Sequence, residues 1–176
     1  MVYIETPRLL LRGWKEEDFA PFAEMNADPA VMEFFLHPLS GEESRNLFDT
    51  VRNEFLRYGY GGYAVERKSD GAFVGFTGFH RFSFDVDFAP GVEILWRLRR
   101  EYWGQGYATE AAKACLAYAG ESLPFSTVWA FTSLPNKRSQ RVMQKIGMRL
   151  EKNFMHPSVP DGHPLKEHVL YKILLQ

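Results

Sequence analysis

A carboxylate, two glycines and the helix that follows them are the part of this sequence best suited to chemistry. Residues 92–112 read VEILWRLRREYWGQGYATEAA. Val92 to Leu98 has the β-branched and aromatic character of a strand, and Ala108 to Ala119 has helical spacing. Ala108, Ala111, Ala112, Cys115, Leu116 and Ala119 share one face, so small side chains let that helix sit close to a sheet. The first turn of a helix leaves backbone N–H groups without partners at the positive end of the macrodipole. Gly104 and Gly106 remove side chains in front of that turn, so an anion can reach the amides; the segment is built as a pyrophosphate cradle. Arg99 and Arg100 either add charge to it or stand as solvated loop residues. Two better-known phosphate loops do not fit. The mononucleotide loop needs a lysine that is absent here, and the dinucleotide fingerprint needs a small residue where Thr109 stands.

The stretch from Trp103 to Ala111, WGQGYATEA, resembles the acetyl-coenzyme A loop of the GNAT acetyltransferase superfamily. The branch it is most similar to is that of the ribosomal-protein N-terminal acetyltransferases. A second block, Asn136 to Ser139 followed by Val142, Met143, Lys145, Gly147 and Met148, supports the resemblance, as does the opening Thr6 to Arg12. The resemblance implies acetyl-CoA as co-substrate and no metal. It implies that backbone amides from Gly104 through Gln105, Gly106, Tyr107 and Ala108 to Thr109 hold the pyrophosphate, with Trp103 opening the loop. The backbone around Trp96 and Leu98 would pair with the pantetheine arm as an added strand does. Asn136 and Ser139 would contact the pantetheine end, although a helix cap after Pro135 also accounts for Asn136. The superfamily often places a proton-donating tyrosine after Val142; this chain has Met143, which leaves the general acid unassigned.

Acetyl transfer to an amine needs a neutral nucleophile, a donor for the oxyanion and alignment of two substrates. Glu93 is the candidate base, with binding of a cationic substrate or a neighbouring arginine as its other reading. A strand N–H freed by a bulge near Trp96 is the expected oxyanion donor. His80, on the preceding strand, is a second proton acceptor or an ordinary strand histidine. Phe34, with Phe35, Tyr58 and Tyr60, lines the amine site or the core. Cys115 lies on the packed helix face with no histidine partner, which argues against a nucleophile. His156, His163 and His168 lack tight ligand spacing and read as loop or strand residues. Asp85 and Asp87 form an acidic hairpin tip beside Phe82, Phe84 and Phe88.

These residues need a scaffold. Glu16 to Asp18 put acids at a helix start, and Asp28-Pro29 signals a second helix running into Val31, Met32, Phe34 and Phe35. Glu42 to Tyr58 reads as a helix closed by Gly59, followed by strands at 63–66, 73–82 and 92–98. A helix, a strand at Thr127 to Thr132, a helix at Ser139 to Ile146 and further strands complete the order, the last carrying Val169, Tyr171 and Ile173. The expectation is an α/β (α+β) GNAT-like fold, one twisted, mostly antiparallel mixed sheet flanked by helices, in a single domain over 1–176. With 45% hydrophobic and 24% charged residues the chain has the balance of a folded protein. A net charge of −1 argues against nucleic acid as the main partner. One cysteine and no apolar stretch long enough for a signal or a membrane span point to the cytoplasm. The expected partner is an amine acceptor, a small molecule or a protein N-terminus, and the expected state is a monomer or homodimer. A non-catalytic acyl-CoA sensor is the competing function.

Overall fold

The computed structural model describes residues 1–176. Eight strands form one sheet in the order β1-β2-β3-β4-β5-β6-β8-β7. They are β1 (Val2–Glu5), β2 (Leu9–Arg12), β3 (Gly62–Arg67), β4 (Phe73–Phe82), β5 (Gly91–Leu98), β6 (Thr127–Ser133), β7 (Arg149–Met155) and β8 (Glu167–Leu174). Every neighbouring pair is antiparallel except β5 and β6, which run parallel. The helices are α1 (Phe19–Ala27), α2 (Gly41–Tyr58), α3 (Tyr107–Ser122) and α4 (Lys137–Lys145). This is the mixed, mostly antiparallel sheet flanked by helices that the sequence pattern anticipates.

Alternation along the strands makes two cores. Ile94 and Leu98 of β5 and Val128 and Ala130 of β6 pack under α3 with Ala111, Ala112, Cys115 and Ala119. On the other face, Ala64, Phe73 and Phe76 meet Phe22 and Met25 of α1 and Phe48 of α2, with Trp14 edge-on to Phe22 and Phe48. Helix α2 is set by local chemistry at both ends. Ser40 and Glu43 form a reciprocal capping box, and Gly59 closes the helix at φ 74°.

Three expectations are corrected. No helix follows Asp28. Its Oδ1 accepts from the Ala30 N–H at 2.8 Å and its carbonyl from Met32, which closes one turn. The chain is then drawn back, the Leu39 N–H donating to the Asn26 carbonyl at 2.9 Å, so residues 28–40 wrap α1 instead of extending it. Strand β1, unanticipated, pairs with β2 across an irregularity between Val2 and Ile4. No bulge interrupts β4 and β5, whose register is unbroken from Gly75–Leu98 to Phe82–Gly91.

An ion network locks β2 to the start of α1. Arg12, 5% exposed, reaches both oxygens of Asp18 at 2.8 Å and Glu66 at 2.6 Å; Asp18 is 2% exposed. Removing Asp18 takes away two of the buried guanidinium's charge-assisted bonds and leaves Glu66 as its one carboxylate partner. Asp18→Ala is expected to lower stability by about 3 kcal/mol or more, read as a lower urea midpoint at unchanged slope.

Candidate active site

The site grows from a defect in the sheet. Strands β5 and β6 run side by side but share a single rung, Glu93 opposite Trp129. Beyond it they diverge. The Arg99 N–H donates to the Val74 carbonyl at 2.9 Å, which fixes the antiparallel alternation. The N–H and C=O of Trp96 and Leu98 therefore point away from β4, into the gap, with no strand opposite them. This supplies free backbone donors by divergence, in place of the expected bulge. The Trp103 indole N–H donates to the Leu98 carbonyl at 3.0 Å and pins the loop to the end of β5.

Above the gap stands the mouth of α3. Its N-cap is Gly106, at φ 80°, and no side chain caps it; the first intrahelical bond runs from Glu110 to the Gly106 carbonyl at 3.0 Å. The amides of Tyr107, Ala108 and Thr109 are thus the orphan donors of the helix. Gly104, Gln105 and Gly106 are exposed, and a Cβ on Gly104 would meet nothing within 4 Å. The Gln105 side chain turns back to the Glu101 carbonyl. The cradle is open and its donors point outward, so the residues present fit a pyrophosphate. Arg99 is held by Glu101 at 2.9 Å and Glu24 at 3.5 Å, which takes it out of the cradle.

Arg8 lies at this mouth and had no role in the sequence reading. It donates to Glu110 at 2.6 Å and to the Gln105 carbonyl at 2.8 Å, and sits 4.5 Å from the centre of the Tyr107 ring. Arg138 of α4 lies 4.2 Å from the Trp103 ring and also approaches Phe34. Phe34 is therefore grouped with the loop. Across the gap Asn136 caps α4, its Oδ1 accepting from the Ser139 N–H at 3.2 Å while its Nδ2 donates to Thr132 at 2.9 Å. Both side-chain functions of Asn136 are engaged, whereas the Ser139 hydroxyl makes no bond within the protein.

At the base of the gap, His80 and Glu93 are cross-strand partners on β4 and β5. Glu54, from α2, joins them; its carboxylate lies 2.8 Å from His80 Nδ1. Glu54 went unnoticed because an acidic residue on an amphipathic helix reads as a solvated face. Burial pushes the Glu93 carboxyl up to about 8, a rise that His80 opposes and Glu54 reinforces. The hydrogen bond to Glu54 raises the His80 imidazole. Further along the same face Arg97 is bonded to Asn26 at 2.7 Å without a carboxylate partner, and burial lowers it to about 10. Cys115 is fully buried with its thiol pushed up, and Met143 is 1% exposed. Neither can exchange a proton with the gap. At the hairpin tip Asp87 is paired with Lys152, which leaves Asp85 as its one unpaired acid.

A carboxyl with a raised folded pKa binds its proton more tightly in the native state, so stability falls as pH climbs from the unfolded value through about 8. Glu93→Gln is expected to melt a few degrees above the parent at pH 9, with the difference vanishing near pH 5, in paired thermal melts.

Comparison with known proteins identifies the family. The family profile described as the acetyltransferase (GNAT) domain matches residues 8–149. The uncharacterized N-acetyltransferase YnaD of Bacillus subtilis is 28% identical over 173 residues, covering 98% of this chain and 97% of YnaD. The crystal structure of a GNAT-family acetyltransferase from Bacillus anthracis superposes with a TM-score of 0.81 at 28% identity, over 99% of this chain and 98% of that one. The spermidine N-acetyltransferase of Vibrio cholerae, solved with CoA and spermine, shares the fold at TM-score 0.76 and 17% identity, over 97% of each chain. With a profile that spans most of its length and a near full-length relative of the same kind, the chain belongs to the GNAT acetyltransferase domain family.

Proposed function

We propose that the chain, acting over 1–176 as one catalytic domain, transfers an acetyl group from acetyl-CoA to a primary amine by direct attack. The acceptor is a small amine or a protein N-terminus, the latter in keeping with the resemblance to the ribosomal-protein branch. One observation carries this reading: the gap between β5 and β6 has free backbone groups along its edge, unpaired helix amides at its open end and a desolvated carboxyl at its closed end. Bound there, the thioester supplies the electrophilic carbonyl. The amides of Gly104 to Thr109 hold the pyrophosphate, and the β5 edge at Leu98 holds the pantetheine by strand-like pairing. The Trp96 N–H stands as a fixed donor toward the acyl oxygen, placed before reaction and costing no reorganisation. Asn136, by capping α4, holds Ser139 at the other wall. The CoA bound to the Vibrio cholerae relative supports the choice of co-substrate.

Glu93 takes the amine proton. It does so only when ionised, and with a pKa of about 8 that fraction grows from pH 7 upward. His80, braced by Glu54, faces Glu93, and its protonated form favours ionisation of that carboxyl. No protein acid is needed at Met143, because a thiol of ordinary pKa, about 8.5, leaves as thiolate near neutrality. The absence of a tyrosine there therefore does not favour a non-catalytic sensor.

Thiol release with a panel of amines tests the proposal, and a failure with every amine would return the chain to the sensor reading. For a productive amine, kcat is expected to rise with pH and level off above about 8. Glu93→Gln should lower kcat by about 10²-fold or more and flatten that rise, leaving CoA affinity by calorimetry near the parent value. Unchanged kcat and pH profile would remove Glu93 as base. Gly106→Val forces a branched side chain to positive φ in front of the amides. It should weaken CoA binding at least tenfold.

A further inference from the structure

The face of the sheet beside Glu93 is unlike the rest of the molecule. Helices α1 and α2 cover β3, β4 and part of β5 on this side, through Leu95 and Arg97. Past β5 the only cover is the loop at 83–90. The rings of Trp129, Phe131, Phe88 and Phe154 gather there, with Phe88 5.5 Å from Trp129 and 5.0 Å from Phe154, and Phe131 5.9 Å from Phe154. None of the four belongs to either buried core, and each stays partly exposed. A half-covered aromatic surface beside a carboxyl is suited to seat the apolar body of a small ligand.

Its position and charge say what it binds. Trp129 is the residue across the single rung from Glu93, on the same side of the sheet. Adjacent strands lie about 4.8 Å apart, about the distance that two methylenes put between an amine nitrogen and an aromatic ring. The next residue in the row is Lys172, paired in register with Trp129, its Nζ 5.1 Å from that ring and in no ion pair. Beyond it, in register again, comes Arg149. His156 and His168 adjoin the cluster; burial lowers both, His168 to about 4, so they are neutral rings at pH 7. Past the one carboxyl that meets the amine, the row across the strands offers aromatic surface and then the positive charges of Lys172 and Arg149, while on the covering loop Asp87 is paired with Lys152 and Asp85 stands exposed to solvent. A second ammonium would be repelled there, while a ring would be welcomed.

Resting on the transferase reading above, we propose that Trp129 and Phe131 seat the body of the acceptor, and that the acceptor is a monoamine carried on an aromatic group. A long polyamine is selected against by Lys172.

Kinetics of thiol release by the full chain with acetyl-CoA test this, using 2-phenylethylamine, n-propylamine and spermidine. The aromatic amine should have the highest kcat/KM, by tenfold or more. Phe131→Ala should reduce the preference for 2-phenylethylamine over n-propylamine by about tenfold, chiefly through KM. Lys172→Glu should raise kcat/KM for spermidine about tenfold, a gain that misfolding cannot mimic. Equal use of the two monoamines, or a parent preference for spermidine, overturns the proposal. So does a Phe131→Ala change in molecular mass by light scattering with the preference intact, since a second copy of the chain would then be what covers the face. If no amine releases thiol, the transferase reading has failed, and binding of 2-phenylethylamine followed by ligand-observed NMR decides the face alone. Binding that saturates in the parent and is lost in Phe131→Ala upholds it; no saturable binding in the parent overturns it.

Discussion

Two parallel strands that share one rung govern the arrangement of everything else. Parallel pairing normally continues for the length of the shorter strand, yet β5 and β6 hold hands only at Glu93 and Trp129. Past that point β5 leads into the loop before α3, while β6 leads into α4, and the two strands part. A sheet interior with unpaired amides is costly unless water or a ligand meets them. The same divergence that frees the backbone of Trp96 and Leu98 also sets Glu93 at the narrow end, beside the one rung. Binding edge and reactive carboxyl are two results of one geometric choice.

Charge is distributed to suit. At the narrow end a carboxylate, an imidazole and a second carboxylate stand in line, from Glu54 through His80 to Glu93. Only one of the two acids can share the histidine closely, and the 2.8 Å contact gives it to Glu54. Glu93 is left desolvated and keeps its proton to a higher pH than an ordinary carboxyl, the condition a proton acceptor near neutral pH requires. Structural ion pairs are kept elsewhere. The Arg12–Asp18–Glu66 network ties β2 and β3 to the start of α1 and takes no part in the gap.

Much of this was legible in the residues. Glycines before a helix with no capping side chain can be read as an anion mouth because backbone sterics alone decide it, and Gly104 to Thr109 were so read. The order of most elements along the chain followed from changes of hydrophobic period and from the turns between them. What was not legible depends on atoms far apart in sequence. Glu54 is one acid among several on α2, and only the fold brings it to His80. The divergence of β5 from β6 has no local signature, so a bulge at Trp96 was expected in its place. Trp129 and Phe131 looked like ordinary strand residues, since alternation does not tell which face is left uncovered. The helix expected after Asp28 failed because the Asx turn and the tie from Leu39 to Asn26 outweigh a weak periodic pattern. Asn136 stayed ambiguous because capping and ligand contact ask for the same side chain.

Arg8 and Glu110 are separated by about a hundred residues, yet they are clamped together by the Arg8 backbone as well as its guanidinium, and Thr6 adds a third bond at 2.6 Å. The glycine-loop end of the molecule is thus assembled from the first turn of the chain and from a helix past its midpoint. During synthesis the early strands must wait for that helix before their loop has anything to grip. Changes near the amino terminus, such as a fused tag that tugs on β1, accordingly act at a distance on the loop, through a hinge made of one arginine.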